Sequence, residues 1–159
     1  LSEPAGIITF PGVNGYTKEL DKRLPYDVDA AKKLLADAGY PKGFDVELRC
    51  PNDRYVNDEA ICTAVVGMLG KIGVNVNLFA QTKSKHFKEL KEDKGDFYML
   101  GWGVPTLDSH YVFHYLYESG ASWNKVNFSN SEVDAAIRVM EGEVDLDKET
   151  LLLQMLGKL

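Results

Sequence analysis

Two stretches in which apolar and polar side chains alternate constrain the fold more than any other feature of this sequence. They are FDVELRC at 44–50 and VNVNLFA at 74–80, and a period of two is typical of β-strands. A helix predicted over 57–71 lies between them, and this order predicts a right-handed parallel crossover. A polar helix over 84–92 and a strand near 96–101 add a second crossover. The chain is therefore predicted to be α/β, with a mainly parallel sheet flanked by helices and strand 44–50 in its middle.

Helices are also predicted outside these crossovers. Asp27 is expected to cap a helix over 28–38, and further helices are predicted over 109–117, 131–142 and 146–156. The side chains expected to face the core are Val28, Ala31, Leu34 and Leu35 in the first helix, Ile61, Ala64, Val65, Met68 and Leu69 in the second, and Phe87 and Leu90 in the polar helix.

The remaining organisation follows from length and from the distribution of Pro and Gly. Residues 1–26 carry three prolines and three glycines, so they are predicted to form an irregular lead-in. A chain of 159 residues fits a single domain over 1–159. Both ends are typical of a segment taken from inside a longer protein, and we expect the chain to be a fragment of one.

Charge and hydropathy exclude several classes of partner. The net charge of −6 argues against nucleic acid or an anionic membrane surface as the main partner. No apolar run approaches the roughly 18 residues of a membrane span. Cys50 and Cys62 lack the CxxC spacing of a thiolate zinc site. Two buried free thiols are the favoured interpretation, with a disulfide as the alternative in an oxidising compartment.

The segment 96–108 is the candidate site. A predicted strand stops at Gly101-Trp102-Gly103, where glycines allow the backbone to turn and to approach another group closely. Pro105 prevents the ladder from continuing. Open α/β sheets place ligands at such strand ends, and the alternative is that Trp102 is a hydrophobic plug. Asp108 is expected to cap the helix that follows.

The three histidines do not predict a metal centre. His110 and His114 are four residues apart, a spacing that can hold a divalent metal. Their aromatic neighbours favour packed or half-exposed histidines instead, so we predict no metal site and no cofactor. His86 is expected on the surface. No nucleophile elbow, phosphate loop or zinc-protease motif is present, so the sequence does not support an enzyme.

Four segments together resemble the C-terminal lobe of the solute-binding proteins of ABC importers, in the family of dipeptide- and oligopeptide-binding proteins (family 5). They are YDVDAAKKLLADAGYPKGF at 26–44, KIGVNV at 71–76, GDF at 95–97 running into GWG at 101–103, and NFSNSEVDAAI at 127–137. The resemblance covers nearly the whole chain. It implies one lobe of a class II periplasmic-binding-protein-like fold, belonging to a larger two-lobed protein that closes over a solute by hinge motion.

The resemblance also implies a function and a set of site residues. The full-length protein would capture peptides in a cleft between its lobes and deliver them to a membrane permease. It would lie in the periplasm or another extracytoplasmic space, with a signal peptide in the missing N-terminal part. The predicted ligand-binding residues are Arg54, Tyr55, Asn57, Trp102, Gly103 and Asp108.

Within this set the residues have different expected roles. In family members that bind dipeptides an Arg in the loop of Arg54 holds the peptide carboxylate; the alternative is a solvated loop residue paired with Asp53 or Asp58. Trp102 would line the cleft. The family often has an Asp three residues after this Trp to hold the peptide amine, but here that position is Pro105, which puts recognition of a free amine in doubt. Asp108 could hold an amine, although its capping role is favoured.

Two alternatives stay open at this point. The same scaffold could bind a nickel chelate, an opine or a sugar. In another class, the chain could be a small α/β enzyme with its site at the Trp102 turn and Asp108 as acid or base.

Overall fold

The computed structural model describes residues 3–142, which divide into two compact units. The first unit contains residues 3–25 and 102–142 of the described chain, and the second contains residues 26–101. The helices and strands are α1 (Val28–Asp37), β1 (Asp45–Pro51), α2 (Asp58–Gly70), β2 (Asn75–Gln81), α3 (Lys83–Lys91), β3 (Phe97–Tyr98), α4 (Ser109–Leu116) and α5 (Ser131–Glu141). Among these described helices, none has the length and apolar character needed to cross a membrane.

The second unit is built on a parallel three-stranded sheet with the order β2-β1-β3. Leu48 of β1 lies opposite Leu78 on one side and Phe97 on the other. This confirms the predicted parallel crossovers and the central place of strand 44–50. β3 is shorter than predicted, because beyond Met99 the chain leaves β1 and the Gly101 N–H donates to the Tyr55 hydroxyl instead.

The core of this unit lies between β1 and α2. Leu48, Cys50 and Cys62 are buried, and the half-buried hydrophobic side chains packed against them are Val65, Val76, Leu78, Phe97 and Met99. Cys50 and Cys62 form a disulfide, so the favoured interpretation of two free thiols was wrong. Sequence spacing could not reveal the pairing, because it depends on how α2 is rotated about its own axis.

The inward face of α2 also differs from the prediction. Cys62 is buried and Val65 and Leu69 are half-buried, whereas Ile61, Ala64 and Met68 are exposed. The helix is apolar around most of its circumference, so the periodicity did not single out one face. The buried face of α2 is the one that carries Cys62, which the disulfide joins to Cys50 of β1.

Helix α1 belongs to the same unit and has no fully buried residue. Asp27 caps this helix as predicted, since its carboxylate accepts a hydrogen bond from the Ala30 N–H at 2.9 Å. Val28, Ala31 and Leu35 are half-buried, but Leu34 is 69% exposed and was wrongly assigned to the core.

His86 is fully buried on α3, in contrast to the predicted surface position. Its Nε2 lies 3.0 Å from the Met99 carbonyl oxygen, and Leu90 is buried one turn further along the same helix face. Burial lowers the pKa of the His86 imidazole below its usual value. The many lysines of α3 concealed this face, because a single imidazole among charged neighbours resembles a surface residue.

In the first unit, α5 packs on α4. Val133, Ile137 and Met140 form a buried cluster against Phe113 and Tyr117. Residues 3–25 form no helix in the described chain and have one isolated bridge, from Asn14 to Asp108. The helix predicted over 146–156 lies outside the described residues.

Replacing both cysteines by alanine should destabilise the unit of residues 26–101 by about 3 kcal/mol, because the disulfide closes a loop across 12 positions of sequence in the unfolded chain. Urea denaturation followed by circular dichroism measures this loss. A reducing agent should lower the stability of the native protein and leave that of the double variant unchanged. Two titratable thiols in the unreduced, denatured protein would contradict the prediction.

Stability should fall as the pH drops below about 6.5, the usual histidine value. The unfolded state then takes up a proton that the buried His86 ring, with its lowered pKa, accepts only at lower pH. Denaturation series from pH 7.5 to 5 measure the slope. His86→Gln should flatten it, since an amide N–H can still donate to Met99. An unchanged slope would assign the effect to other groups.

Candidate functional site

A buried carboxylate organises the loop after β1. Asp58 is only 4% exposed, and its Oδ2 accepts hydrogen bonds from the backbone N–H groups of Arg54 and Tyr55, both at 2.9 Å. Its Oδ1 accepts a third from the Glu59 N–H. These bonds, foremost the one from Tyr55, hold the pKa of the Asp58 carboxyl below its usual range. The backbone of Arg54 and Tyr55 is therefore fixed by the carboxylate of Asp58, the first residue of α2.

Arg54 projects from this loop with its guanidinium exposed. The Arg54 Cζ lies 5.1 Å from the centre of the Tyr55 ring, a cation–π contact. Within residues 3–142 no carboxylate lies within ion-pair distance of the guanidinium. The alternative of an ion pair with Asp53 or Asp58 is not observed, since Asp53 accepts from the Lys83 N–H and Asp58 accepts backbone donors. Among the described residues, no carboxylate occupies the planar fork of Arg54, which has the geometry to bind an anion.

Tyr55 connects the loop after β1 to the end of the segment that follows β3. Its hydroxyl accepts a hydrogen bond from the Gly101 N–H at 2.9 Å. A Cβ at position 101 would lie 2.7 Å from Tyr55 Cε1, whereas a Cβ at Gly103 would meet nothing within 4 Å. The expected close approach of a glycine in this turn is therefore confirmed at Gly101. The two loops meet at the carboxyl end of the sheet, as a parallel sheet requires.

Asn57 occupies the position before α2. Its φ is 58°, in the left-handed region that Asn tolerates better than most residues. Its carbonyl accepts the hydrogen bond from the Ile61 N–H, while its side chain makes no capping bond and is exposed. Asn57 thus allows the chain to turn from the Arg54 loop into α2.

Trp102 is part of an aromatic cluster in the first unit. We define the Trp102 cluster as Trp102, Tyr111, Tyr115 and Trp123. The ring centres of Tyr111, Tyr115 and Trp123 lie 6.0, 6.0 and 5.9 Å, respectively, from that of Trp102. Trp102 is half-buried and packs on the core of Val104 and Val112. Its indole Nε1 is buried and makes no hydrogen bond within the described chain. The side chain has the packing of a plug and keeps part of its surface exposed.

Two kinds of residue, one in each unit, were not predicted from the sequence. Asp58 was predicted only as a partner for the Arg54 side chain, because a carboxylate that accepts from the backbone N–H groups three and four residues before it lacks the sequence signature of a helix cap. Tyr111, Tyr115 and Trp123 were not assigned to the site. The spacing of Tyr111 and Tyr115 by four residues on a helix could have indicated that both face the same neighbour.

Asp108 has the capping role that the sequence favoured. Its Oδ1 accepts a hydrogen bond from the His110 N–H at 2.8 Å, and its Oδ2 accepts one from the Asn14 side-chain amide at 3.1 Å. Both oxygens are thus engaged in fixing the start of α4. Pro105 lies in the turn between Trp102 and this cap, where the chain forms no strand.

Comparison with known proteins identifies the class to which this fold and site belong. Residues 1–124 match the model of the bacterial extracellular solute-binding proteins, family 5, middle region. The match covers more than half of the chain. The chain therefore belongs to the family 5 solute-binding proteins, and the resemblance found in the sequence is confirmed.

Individual relatives show what the chain is similar to. Heme-binding protein A of Haemophilus influenzae is 28% identical over 150 residues, which cover 89% of this chain and 27% of that protein. The dipeptide-binding protein of Escherichia coli is 28% identical over 122 residues, covering 75% and 23%. The chain thus spans about a quarter of the length of these curated relatives. The periplasmic binding protein AgaA from A. tumefaciens R10, solved with agropinic acid, superposes with a TM-score of 0.85 at 23% identity over 96% of this chain and 32% of that one. This structural likeness confirms the predicted fold class.

Gly101→Ala should destabilise the loop by about 1–3 kcal/mol, because the added methyl group must displace the Tyr55 ring. Gly103→Ala is the matched control and should change stability by less than about 0.5 kcal/mol. Thermal unfolding of both variants measures the difference. Equal effects of the two substitutions would show that the Tyr55 contact does not constrain position 101.

Proposed function

We propose that this chain is part of the substrate-binding component of an ABC importer, which captures a peptide and delivers it to a membrane permease. Membership of the family supports a binding function, and the named ligand of one relative, a dipeptide-binding protein, supports a peptide. The single observation that carries the proposal is that the exposed guanidinium of Arg54, which has no carboxylate partner in the described part of the chain, lies on a loop fixed by Asp58. We further propose an extracytoplasmic location, with a signal peptide and a second lobe in the rest of the protein.

Arg54 is suited to hold the carboxylate at the end of a peptide. A guanidinium presents parallel N–H donors that match both oxygens of a carboxylate. The N–H groups of the backbone beneath it donate two hydrogen bonds to the Asp58 carboxylate, so ordering the loop costs little when the ligand binds. Tyr55 adds a ring beneath the cation and a link to Gly101. We assign Arg54 and Tyr55 to ligand contact and Asn57 to shaping the loop.

The other predicted residues contribute differently in this proposal. Trp102 would offer its exposed part as a stacking surface, and Gly103 leaves space beside it. Asp108 acts as a positioning residue for α4, because both of its oxygens already accept hydrogen bonds. With Pro105 at the position where relatives hold the amine, binding should depend on the peptide carboxylate more than on its amino group.

A different solute of the same scaffold is the second candidate. AgaA was solved with agropinic acid, and another neighbour, NikA from Staphylococcus aureus, with Ni(L-His)2. An organic acid would use the same guanidinium, whereas a sugar would not need it. The enzyme alternative has less support, because the acid or base that it requires, Asp108, is committed to the helix cap.

The full-length protein should be stabilised by a dipeptide in an Arg54-dependent manner. A ligand at a hundred times its Kd adds roughly 2.7 kcal/mol to the free energy of unfolding, which thermal unfolding detects. Arg54→Ala should weaken binding at least about tenfold, since charge-assisted pairs contribute roughly 1.5–3 kcal/mol. The matched control is Arg23→Ala, an exposed arginine of the lead-in with no partner in the described chain, which should leave binding unchanged.

Peptide end groups separate the possible contacts. A C-terminally amidated dipeptide should bind the native protein weakly, and Arg54→Ala should then cause no further loss, whereas N-acetylation should have little effect. Equal losses from Arg54→Ala with free and amidated peptides would contradict the carboxylate contact. Stabilisation only by an organic acid, a metal complex or a sugar would overturn the peptide assignment and leave the binding function in place.

A further inference from the structure

Helices α4 and α5 bring two imidazoles and a carboxylate together in the first unit. His110 and His114 lie one turn apart on α4 with stacked rings, whose centres are 5.7 Å apart. Glu141 at the end of α5 places its Oε1 3.9 Å from His110 Nε2 and 3.7 Å from His114 Nδ1. These three ligand atoms all lie within 4.8 Å of one another. The packing of α5 on Phe113 and Tyr117 of α4 holds the two helices in this arrangement.

A second carboxylate adjoins the group. Glu118 Oε2 lies 2.8 Å from His114 Nδ1, four residues further along the chain. His110 Nε2 and His114 Nδ1 are buried atoms that make no hydrogen bond of normal geometry within the described residues. Buried imidazole nitrogens are normally paired, because an unpaired polar atom is costly. His114 Nδ1 is at ion-pair distance from Glu118, whereas the nearest carboxylate oxygen given for His110 Nε2 is 3.9 Å away, so the His110 nitrogen in particular lacks a close partner among the described residues.

We propose that His110, His114 and Glu141 are the ligands of a binding site for a divalent transition-metal ion, of which Zn²⁺ fits best, with the carboxylate of Glu118 beside His114. Imidazole and carboxylate are zinc ligands, and tetrahedral coordination at about 2.0–2.1 Å places ligand atoms roughly 3.3 Å apart. The observed separations from Glu141 exceed this by about half an ångström, which side-chain rotation can close. Two carboxylates neutralise the ion, and the imidazoles favour Zn²⁺ over Mg²⁺ or Ca²⁺, which prefer oxygen ligands.

The site is independent of the proposed solute site. None of these four residues belongs to the six that were predicted to bind the solute. It would link the end of α5 to α4, the helix that carries Tyr111 and Tyr115 of the Trp102 cluster. A bound ion would thus stabilise the pair of helices, and peptide binding by the metal-free protein does not depend on it. Failure of either proposal therefore leaves the other intact.

The competing explanation is a set of ordinary ion pairs. Protonated histidines would pair with Glu118 and Glu141 without any metal. Ion pairs of this kind require protonated imidazole rings, so acid favours them. Metal binding weakens in acid, because the ligating nitrogens must be deprotonated. The two explanations therefore predict opposite pH dependences.

Isothermal titration of the full-length protein, stripped of metal by a chelator, with ZnCl₂ at pH 7.5 tests the proposal. His114→Ala and Glu141→Gln should each weaken Zn²⁺ binding at least about tenfold, since removal of even an outer partner of a metal ligand costs 10–100-fold. Glu132→Gln is the matched control for Glu141→Gln, because it removes an exposed carboxylate from the first turn of α5, the helix that ends at Glu141. It should change the Zn²⁺ affinity by less than about twofold.

Unfolding and pH measurements complete the test. The metal-free melting temperature of Glu141→Gln should match that of the native protein, and Zn²⁺ should raise the melting temperature of the native protein alone. Binding should weaken between pH 7.5 and 5.5, and an excess of MgCl₂ should not displace Zn²⁺. Absence of Zn²⁺ binding, or equal affinity in the native protein and both site variants, would overturn the proposal.

Discussion

The structure of the candidate site depends on the way in which the chain is held as it leaves β1. The Cys50–Cys62 disulfide joins the end of this central strand to α2, and Asp58, between the two, accepts three backbone hydrogen bonds from the loop and the helix start. A covalent link and a buried carboxylate thus fix the six loop residues at 52–57 from both sides. Arg54 and Tyr55 are placed by this arrangement and not by contacts of their own side chains with the core.

The fixed loop also explains why position 101 is a glycine. The Tyr55 backbone is held by its hydrogen bond to Asp58. Its ring and hydroxyl occupy the space into which a side chain at position 101 would project. The backbone N–H that a longer β3 would have used in the sheet is used by Tyr55 instead. Short pairing of β3 and exposure of the Arg54 fork are therefore two results of one local arrangement. A sheet end built in this way offers a charged side chain on a backbone that has little freedom left to lose.

The order of the strands and helices could be predicted because it depends on local pattern. The alternation at 44–50 and 74–80 and the capping residues Asp27 and Asp108 act within a few positions of sequence, and all four were correct. The errors concern rotation and burial, which depend on distant partners. Ile61 and Met68 were assigned to the core because α2 is apolar on several sides. His86 was assigned to the surface because its carbonyl partner, on Met99, follows thirteen residues later.

For the site, the sequence could predict which charged and aromatic side chains are candidates for binding. It could not predict which of them already have hydrogen-bond or ion-pair partners within the fold. Arg54 and Asp108 are both charged loop residues next to helices, yet each oxygen of Asp108 accepts a hydrogen bond, one in the cap and one from Asn14, while Arg54 has no carboxylate partner in the described part of the chain. The proposed roles rest on that difference, because a group that already has hydrogen bonds gains less from a ligand. The relatives carry names that refer to haem and to dipeptides, so the scaffold alone does not set the solute. The proposal therefore assigns the choice of solute to loop groups that the fold leaves without partners, and among the described residues the Arg54 guanidinium is such a group.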